Sequence, residues 1–174
     1  MKIFTLIRYL ASETGKGVVP MDKAFKSLVI LCMLILTGCA GPSITGNAIP
    51  QIIIDAKLDI LSIDDDETRQ GFQQAVEGWL ESNGHSYAVA PENSLHDPDK
   101  LTIEYEGIWK WDMALYLHQA FIEAFYKGER VSKVSFVVPN GFNTNKWGKG
   151  EERIKLMMDV LFGKKTPTDA TNNL

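Results

Sequence analysis

The feature that most constrains this chain is an uncharged apolar run at residues 28–36, which stops at Thr37, Gly38 and Cys39. The run is about half of the roughly 20 residues that a helix needs to cross a bilayer, and Lys23 and Lys26 precede it. A buried core helix of this length would show polar residues at a period near 3.6, and this run shows none. The pattern therefore predicts a secretory signal peptide that takes no part in the fold.

The end of this run, Leu36-Thr37-Gly38-Cys39, resembles a bacterial lipobox. That resemblance implies cleavage by signal peptidase II between Gly38 and Cys39 and attachment of lipid to Cys39. A lasting transmembrane anchor is disfavoured because Gly41 and Pro42 break the helix directly afterwards. Ala40 resembles the outer-membrane sorting pattern, since it is not the aspartate associated with inner-membrane retention. We therefore expect a periplasm-facing, lipid-anchored protein of the outer membrane.

Five segments follow from this assignment. Residues 1–20 are predicted to be an over-extended N-terminus, because Met21 begins a compact basic region for the signal at residues 21–38. Residues 39–50 are rich in Gly, Pro, Ser and Thr, which predicts a flexible lipidated tether. Residues 51–163 are predicted to form one α/β domain, and residues 164–174 a polar tail.

Charge and cysteine content exclude several classes of function. The first 38 residues hold five of the 18 basic and two of the 22 acidic residues, so the remaining 136 carry a net charge near −7. This charge argues against nucleic acid and against an anionic membrane surface as electrostatic partners. Cys32 leaves with the signal and Cys39 is used by lipid, which leaves no thiol for a disulfide, for catalysis or for metal. We expect no cofactor.

Periodicity predicts the elements of the domain. Strands are predicted at residues 51–63, 86–90 and 101–112, and a hairpin around Lys127-Gly128 joins strands at 113–126 and 131–138. One helix is predicted to begin at the acidic run 64–67 and to end at Asn83-Gly84, and another to span residues 151–162. This order predicts a two-layer α/β sandwich, with a mixed sheet of about five strands and both helices on one face.

Few side chains suggest chemistry. His96, Asp97 and Asp99 cluster locally, but Asp-Pro-Asp is typical of a turn, and a metal would need further ligands such as His118. His118 is predicted to share a strand face with Tyr116 and Ala120, as a structural histidine. The predicted face of strand 101–112 carries residues 101, 103, 105, 107, 109 and 111, and such aromatics are more often core than ligand-binding. No catalytic or metal residue is predicted, and Trp109, Trp111 and Trp147 are speculative ligand-binding residues.

The lipobox, the segment 109–116 running into Lys127-Gly128-Glu129, and the helix at 151–162 together resemble an uncharacterised family of small Gram-negative lipoproteins. The resemblance implies a role for the lipidated Cys39 and for no other residue. In layout the chain is more loosely similar to small outer-membrane lipoproteins that activate peptidoglycan synthases or help to build secretion pores, and to the N-terminal domain of TolB. That likeness is an analogy of fold alone.

Three functional hypotheses remain. The favoured one is a non-catalytic envelope lipoprotein that binds a protein partner or a cell-wall component through an open sheet edge or face. The second is an envelope hydrolase, in which His96, Asp97, Asp99 and His118 would have to converge. The third is a small-ligand-binding lipoprotein with an apolar pocket around one of the three tryptophans.

Overall fold

The computed structural model describes residues 41–139 and 147–174, within which the chain forms six strands and four helices. The strands are β1 (Ser43–Gly46), β2 (Ile60–Ile63), β3 (Tyr87–Ala90), β4 (Leu101–Asp112), β5 (Ala114–Tyr126) and β6 (Glu129–Val137). The helices are α1 (Gln51–Asp55), α2 (Gly71–Ser82), α3 (Gly150–Leu161) and α4 (Pro167–Asn172). The predicted signal peptide, its predicted cleavage site at Gly38 and the predicted lipid-bearing Cys39 lie outside the described residues.

The strands form one mixed sheet in the order β1-β6-β5-β4-β2-β3. β2 is parallel to both of its neighbours, β3 and β4, whereas β4, β5, β6 and β1 pair antiparallel. The predicted two-layer α/β fold is confirmed, as are the hairpin at Lys127-Gly128 and the three-strand meander. The sheet has one strand more than the five expected.

α2 and α3 pack side by side on one face of the sheet. Their buried side chains are Phe72, Ala75, Val76, Trp79 and Leu80 on α2, and Arg153, Ile154, Met157, Met158, Val160 and Leu161 on α3. Phe72 stacks on Tyr105 of β4, with 4.7 Å between ring centroids. Trp79 Nε1 donates to Asp159 Oδ1 at 2.9 Å and so links the two helices across the layer.

The predicted strand at 51–63 is wrong over its first half. Residues 51–55 form the short helix α1 behind Pro50, Lys57 turns the chain at a φ of 49°, and only Ile60–Ile63 enter the sheet. Ile60 pairs with Tyr87 and Leu101, which are the first residues of β3 and β4. The parallel part of the sheet therefore begins at Ile60. A strand that continued back to residue 51 would have no neighbour, so tertiary structure overrides the β-propensity of the isoleucines.

The flexible tether predicted at residues 39–50 is wrong where the structure describes it. Ser43–Gly46 form β1 against β6, and Ile44 and Ile49 are buried in the core. The predicted polar tail is wrong as well, because Pro167–Asn172 form α4. Thr166 and Asp169 form a capping box at its start, and Ala170 is fully buried.

The sequence predicts that a helix begins at the acidic run 64–67, but in the structure this run does not cap a helix. α2 begins only at Gly71, and no side chain caps its first turn. Asp65 instead accepts from the Thr68 hydroxyl at 2.6 Å, and Asp64 accepts from the Tyr105 hydroxyl at 2.5 Å. Burial and the Asp64 carboxylate raise the pKa of Tyr105. The run therefore fixes the loop between β2 and α2 to the sheet.

Candidate functional site

The two edge strands of the sheet differ in whether their outward main-chain groups have hydrogen-bond partners. At the β1 edge, the Thr171 hydroxyl of α4 accepts from the Ile44 N–H at 2.9 Å and donates to the Ile44 carbonyl at 3.1 Å. One side chain thus satisfies both outward main-chain groups of a residue that is 2% exposed. The edge is covered by a helix, which is a common way to prevent another strand from pairing with it.

The opposite edge, β3, has no such cover among the described residues. β3 pairs with β2 alone, and the flanking bonds run from Ile60 N–H to the Ser86 carbonyl and from Asp64 N–H to the Ala90 carbonyl, both at 2.9 Å. The alternation of a parallel ladder then turns the N–H and C=O groups of Tyr87 and Val89 away from the sheet. The Val89 side chain is 41% exposed. We call this surface, Tyr87–Ala90, the β3 edge.

The β3 edge is hydrogen-bonded to α2 through Tyr87 and has acidic side chains around it. The Tyr87 hydroxyl lies 2.8 Å from Glu81 Oε1 and 3.0 Å from Glu77 Oε2, and its one proton is shared between these two α2 carboxylates. The hydrogen bond to Glu81 is the largest cause of a raised Tyr87 pKa, so the hydroxyl stays protonated as a donor. Glu92 lies two residues after the end of the strand and is exposed. The surroundings favour a positively charged partner.

The two histidines of the alternative hydrolase hypothesis lie far apart. His96 Nε2 is 2.8 Å from Glu104 Oε1, and its ring packs 4.4 Å from the ring of Phe125. His118 precedes Phe125 by seven residues on β5, which is about 23 Å at 3.3 Å per residue. Asp97 accepts from the Asp99 N–H and pairs with Lys100, as expected for a turn. The described residues contain no cluster of His, Cys, Asp or Glu arranged to hold a metal ion.

His118 is the extra residue of a β-bulge. Ile108 pairs with Gln119 and Trp109 with Leu117, so His118 has no partner across the ladder. The predicted neighbour Tyr116 is confirmed, because its ring lies 6.0 Å from that of His118. The predicted face shared with Ala120 is wrong, because the bulge lies between these two residues and breaks their alternation. Burial, followed by Lys110, lowers the pKa of His118.

The three tryptophans have different surroundings. Trp109 is partly buried, packs against Gly150, and has the Arg69 guanidinium 5.6 Å from its ring centre. Trp147 donates from Nε1 to the Asp112 carbonyl at 2.8 Å and lines a cavity of about 350 Å³ beside α3, which neither other tryptophan lines. Trp111 is 75% exposed, so its predicted place on a core-facing strand face is wrong. Ligand binding by these residues stays a prediction.

A larger cavity was not anticipated from the sequence. It measures about 570 Å³ and lies where α1 and the C-terminal ends of α2 and α3 meet the first residues of β2 and β4. Its lining is mainly apolar, with Ile54, Leu58 and Phe162, and includes His85. The His85 ring lies 4.8 Å from that of Phe162, and burial, followed by Lys164, lowers its pKa. This histidine follows a helix end, and no sequence signal marked it.

Comparison of the sequence with protein-family models and with curated proteins found no match. In the described part of the chain, no helix has the length and apolar character required to cross a membrane.

Proposed function

We propose that this chain is a non-catalytic lipoprotein of the Gram-negative envelope, anchored in the outer membrane through Cys39, and that its periplasmic domain binds an extended segment of a partner protein. The lipobox-like residues 36–39 support the anchor. The binding proposal rests on one observation, the difference between the two sheet edges. Thr171 closes the β1 edge, whereas the main-chain groups of Tyr87 and Val89 face outward at the β3 edge.

The geometry of the β3 edge favours strand addition. A partner segment in extended conformation can pair with the outward N–H and C=O groups, and the exposed Val89 side chain supplies an apolar contact. Glu77, Glu81 and Glu92 favour a segment that carries lysine or arginine. Because Tyr87 is fixed to α2, the edge is ordered before the partner arrives, which reduces the entropic cost of binding.

Lipid attachment is tested in cells by palmitate labelling. Cys39→Ala removes the acceptor thiol, so we expect labelling to disappear and the protein to leave the membrane fraction. Ser43→Ala, close by in sequence, is the control and should label normally. Labelling that persists in Cys39→Ala would show that the lipid is attached elsewhere or that the motif is not used.

Edge binding is tested with two changes at one position. Val89→Pro removes the outward N–H and leaves the bonds to β2 in place, because proline is tolerated where its missing N–H would face solvent. Val89→Thr keeps the N–H and the branched shape. With a photoreactive residue at the exposed position 88, we expect the wild type and Val89→Thr to form the same crosslink to an extended, basic segment, and Val89→Pro to lose it.

Equal crosslinking in a folded Val89→Pro protein would contradict pairing at the β3 edge. Crosslinks to peptidoglycan instead of protein would identify a cell-wall component as the partner and would also overturn strand addition. Circular dichroism of each variant establishes that the domain is folded. High salt should weaken the crosslink, since the acidic side chains around the β3 edge act through screened charges.

The cavity beside His85 supports a second candidate function, the binding of a small apolar molecule. Its volume of about 570 Å³ lies within the usual range for ligand sites. The dye 1-N-phenylnaphthylamine, which fluoresces in apolar surroundings, is a suitable probe. Ser86→Trp should fill the cavity and abolish the fluorescence increase, whereas Ser82→Trp on the exposed side of α2 should not. Equal fluorescence in both variants would exclude binding at this cavity.

A further inference from the structure

The far end of the β4–β5 hairpin is an exposed apolar surface. Trp111, Met113 and Leu115 are 75%, 80% and 41% exposed, and Trp111 pairs directly with Leu115 across the hairpin. We call these three residues the hairpin tip. Large apolar side chains clustered on an exposed projection are characteristic of surfaces that contact a membrane or a protein.

The conformation of the hairpin tip is fixed, and its sequence is unusual for a turn. Met113 has a φ of 60°, a left-handed conformation that Gly or Asn adopts with less strain. Trp147 Nε1 donates to the adjacent Asp112 carbonyl at 2.8 Å and so braces the turn from behind. A strained position that carries a large, exposed apolar side chain is better explained by a contact of that side chain than by the requirements of the turn.

The start of the domain lies at the same end of the sheet as the hairpin tip. Ser43 pairs with Val137, and Val137 pairs with Gln119 on β5. Met113 lies six residues before Gln119, and one of these six is the bulge at His118. The tip therefore projects about 17 Å beyond the level of Ser43, at 3.3 Å per residue.

The chain between the anchor and the domain is short. Pro42 is already buried, so three Cα–Cα steps separate Cys39 from the packed domain. These steps span at most about 11 Å when fully extended. Counted from Ser43, one step further along the chain, Cys39 can lie at most about 14 Å away. The hairpin tip, about 17 Å beyond the level of Ser43, therefore projects further than the linker to Cys39 can extend in the same direction. A lipid on Cys39 holds the tip within reach of the bilayer surface.

We infer that the hairpin tip inserts into the lipid interface beside the anchor, with Trp111 at headgroup depth and Met113 and Leu115 among the upper acyl chains. Tryptophan favours this region because its ring is apolar and its N–H can still find a polar partner. Insertion adds a second attachment to the acyl anchor and fixes the orientation of the domain. The β3 edge belongs to the opposite half of the sheet, separated from β5 by β4 and β2, and stays free for a partner. This inference rests on the proposed lipid anchor.

The test uses a single fluorescent label on the full lipidated protein. The processed chain has no free thiol once Cys32 is removed and Cys39 is modified, so Met113→Cys introduces a unique site for an environment-sensitive nitrobenzoxadiazole dye. Ile52→Cys on α1 is the matched control, because Ile52 is 79% exposed and precedes β2 at the other end of the sheet. Both proteins are reconstituted into phosphatidylethanolamine–phosphatidylglycerol vesicles, with and without lipids that carry a nitroxide on the acyl chain.

We expect emission from position 113 to shift to shorter wavelength and to be quenched by the nitroxide lipids, and emission from position 52 to change in neither respect. Equal behaviour of the two positions, in protein whose mass includes the lipid, would overturn insertion and leave the anchor proposal standing. A shorter-wavelength shift at 113 without nitroxide quenching would indicate a second copy of the chain as the contact, and would also overturn insertion. A mass without lipid would overturn both proposals.

Discussion

Thr171→Val tests whether one hydroxyl closes the β1 edge. Valine keeps the shape of threonine and removes the oxygen that bonds both main-chain groups of Ile44, at 2.9 Å and 3.1 Å. Ile44 is 2% exposed, so water cannot readily replace the lost partner. The variant therefore isolates the hydrogen bonds from the packing of α4 on β1.

The expected loss follows from the cost of unpaired buried groups. Each such group costs about 1–3 kcal/mol. The bond to the carbonyl is the longer of the two and Thr171 is only half-buried, so we expect a total near the lower limit, about 2 kcal/mol. For a domain of this size the melting temperature should fall by about 8 °C.

Urea denaturation followed by tryptophan fluorescence measures this loss, in the Cys39→Ala background that avoids lipid. Thr45→Val is the control, because Thr45 lies next to Ile44 on the same strand and is exposed. It should change the free energy of unfolding by less than about 0.5 kcal/mol. If Thr171→Val is no more destabilising than Thr45→Val, then the Thr171 hydroxyl does not stabilise the β1 edge. The difference between the two sheet edges would then no longer support partner binding at the β3 edge.

Three further predictions concern the fold. Gly107→Ala should destabilise the domain by about 1–3 kcal/mol in urea denaturation, because the added Cβ would lie 2.9 Å from Phe72 Cδ2; a loss below 0.5 kcal/mol would show that the ring moves aside easily. Thr166→Ala should cost about 1 kcal/mol by removing the capping box with Asp169, and Thr166→Ser should restore most of it. Burial lowers the pKa of His85 in the folded state, so stability present at neutral pH is lost as the pH falls through its ordinary value of 6.5. His85→Asn should reduce the fall in urea midpoint between about pH 7.5 and 5.5, and an unchanged fall would contradict this contribution.

Local patterns predicted the meander and the covering helices correctly. Residues 101–112 alternate apolar and polar side chains, which favours a strand. For residues 113–126 the decisive signal is Lys127-Gly128, which permits the tight turn to β6, with Lys127 at a φ of 53° and Gly128 at 80°. α2 and α3 carry apolar stripes at helical spacing. In each case the residues that determine the structure are close together in the sequence.

The errors arose where distant residues decide the structure. Ser43–Gly46 look like a linker and become a strand because β6 has an unpaired edge 90 residues later. Ile44 is buried and bonded only because Thr171 lies against it, 127 residues away. His118 and Ala120 do not share a face, because β5 has one residue more than β4 between Leu117 and Gln119. None of these partners could be identified from composition or periodicity.

The candidate sites divide in the same way. The sequence alone supplies Cys39 and the expected anchor, since a signal peptide is read as a linear motif before the chain folds. Only the tertiary structure reveals that one sheet edge is closed and the other open, and that Trp111, Met113 and Leu115 project from the end at which the domain begins. An edge or a projecting tip is defined by the strands and helices around it, and their order in the sheet depends on contacts between residues far apart in the chain.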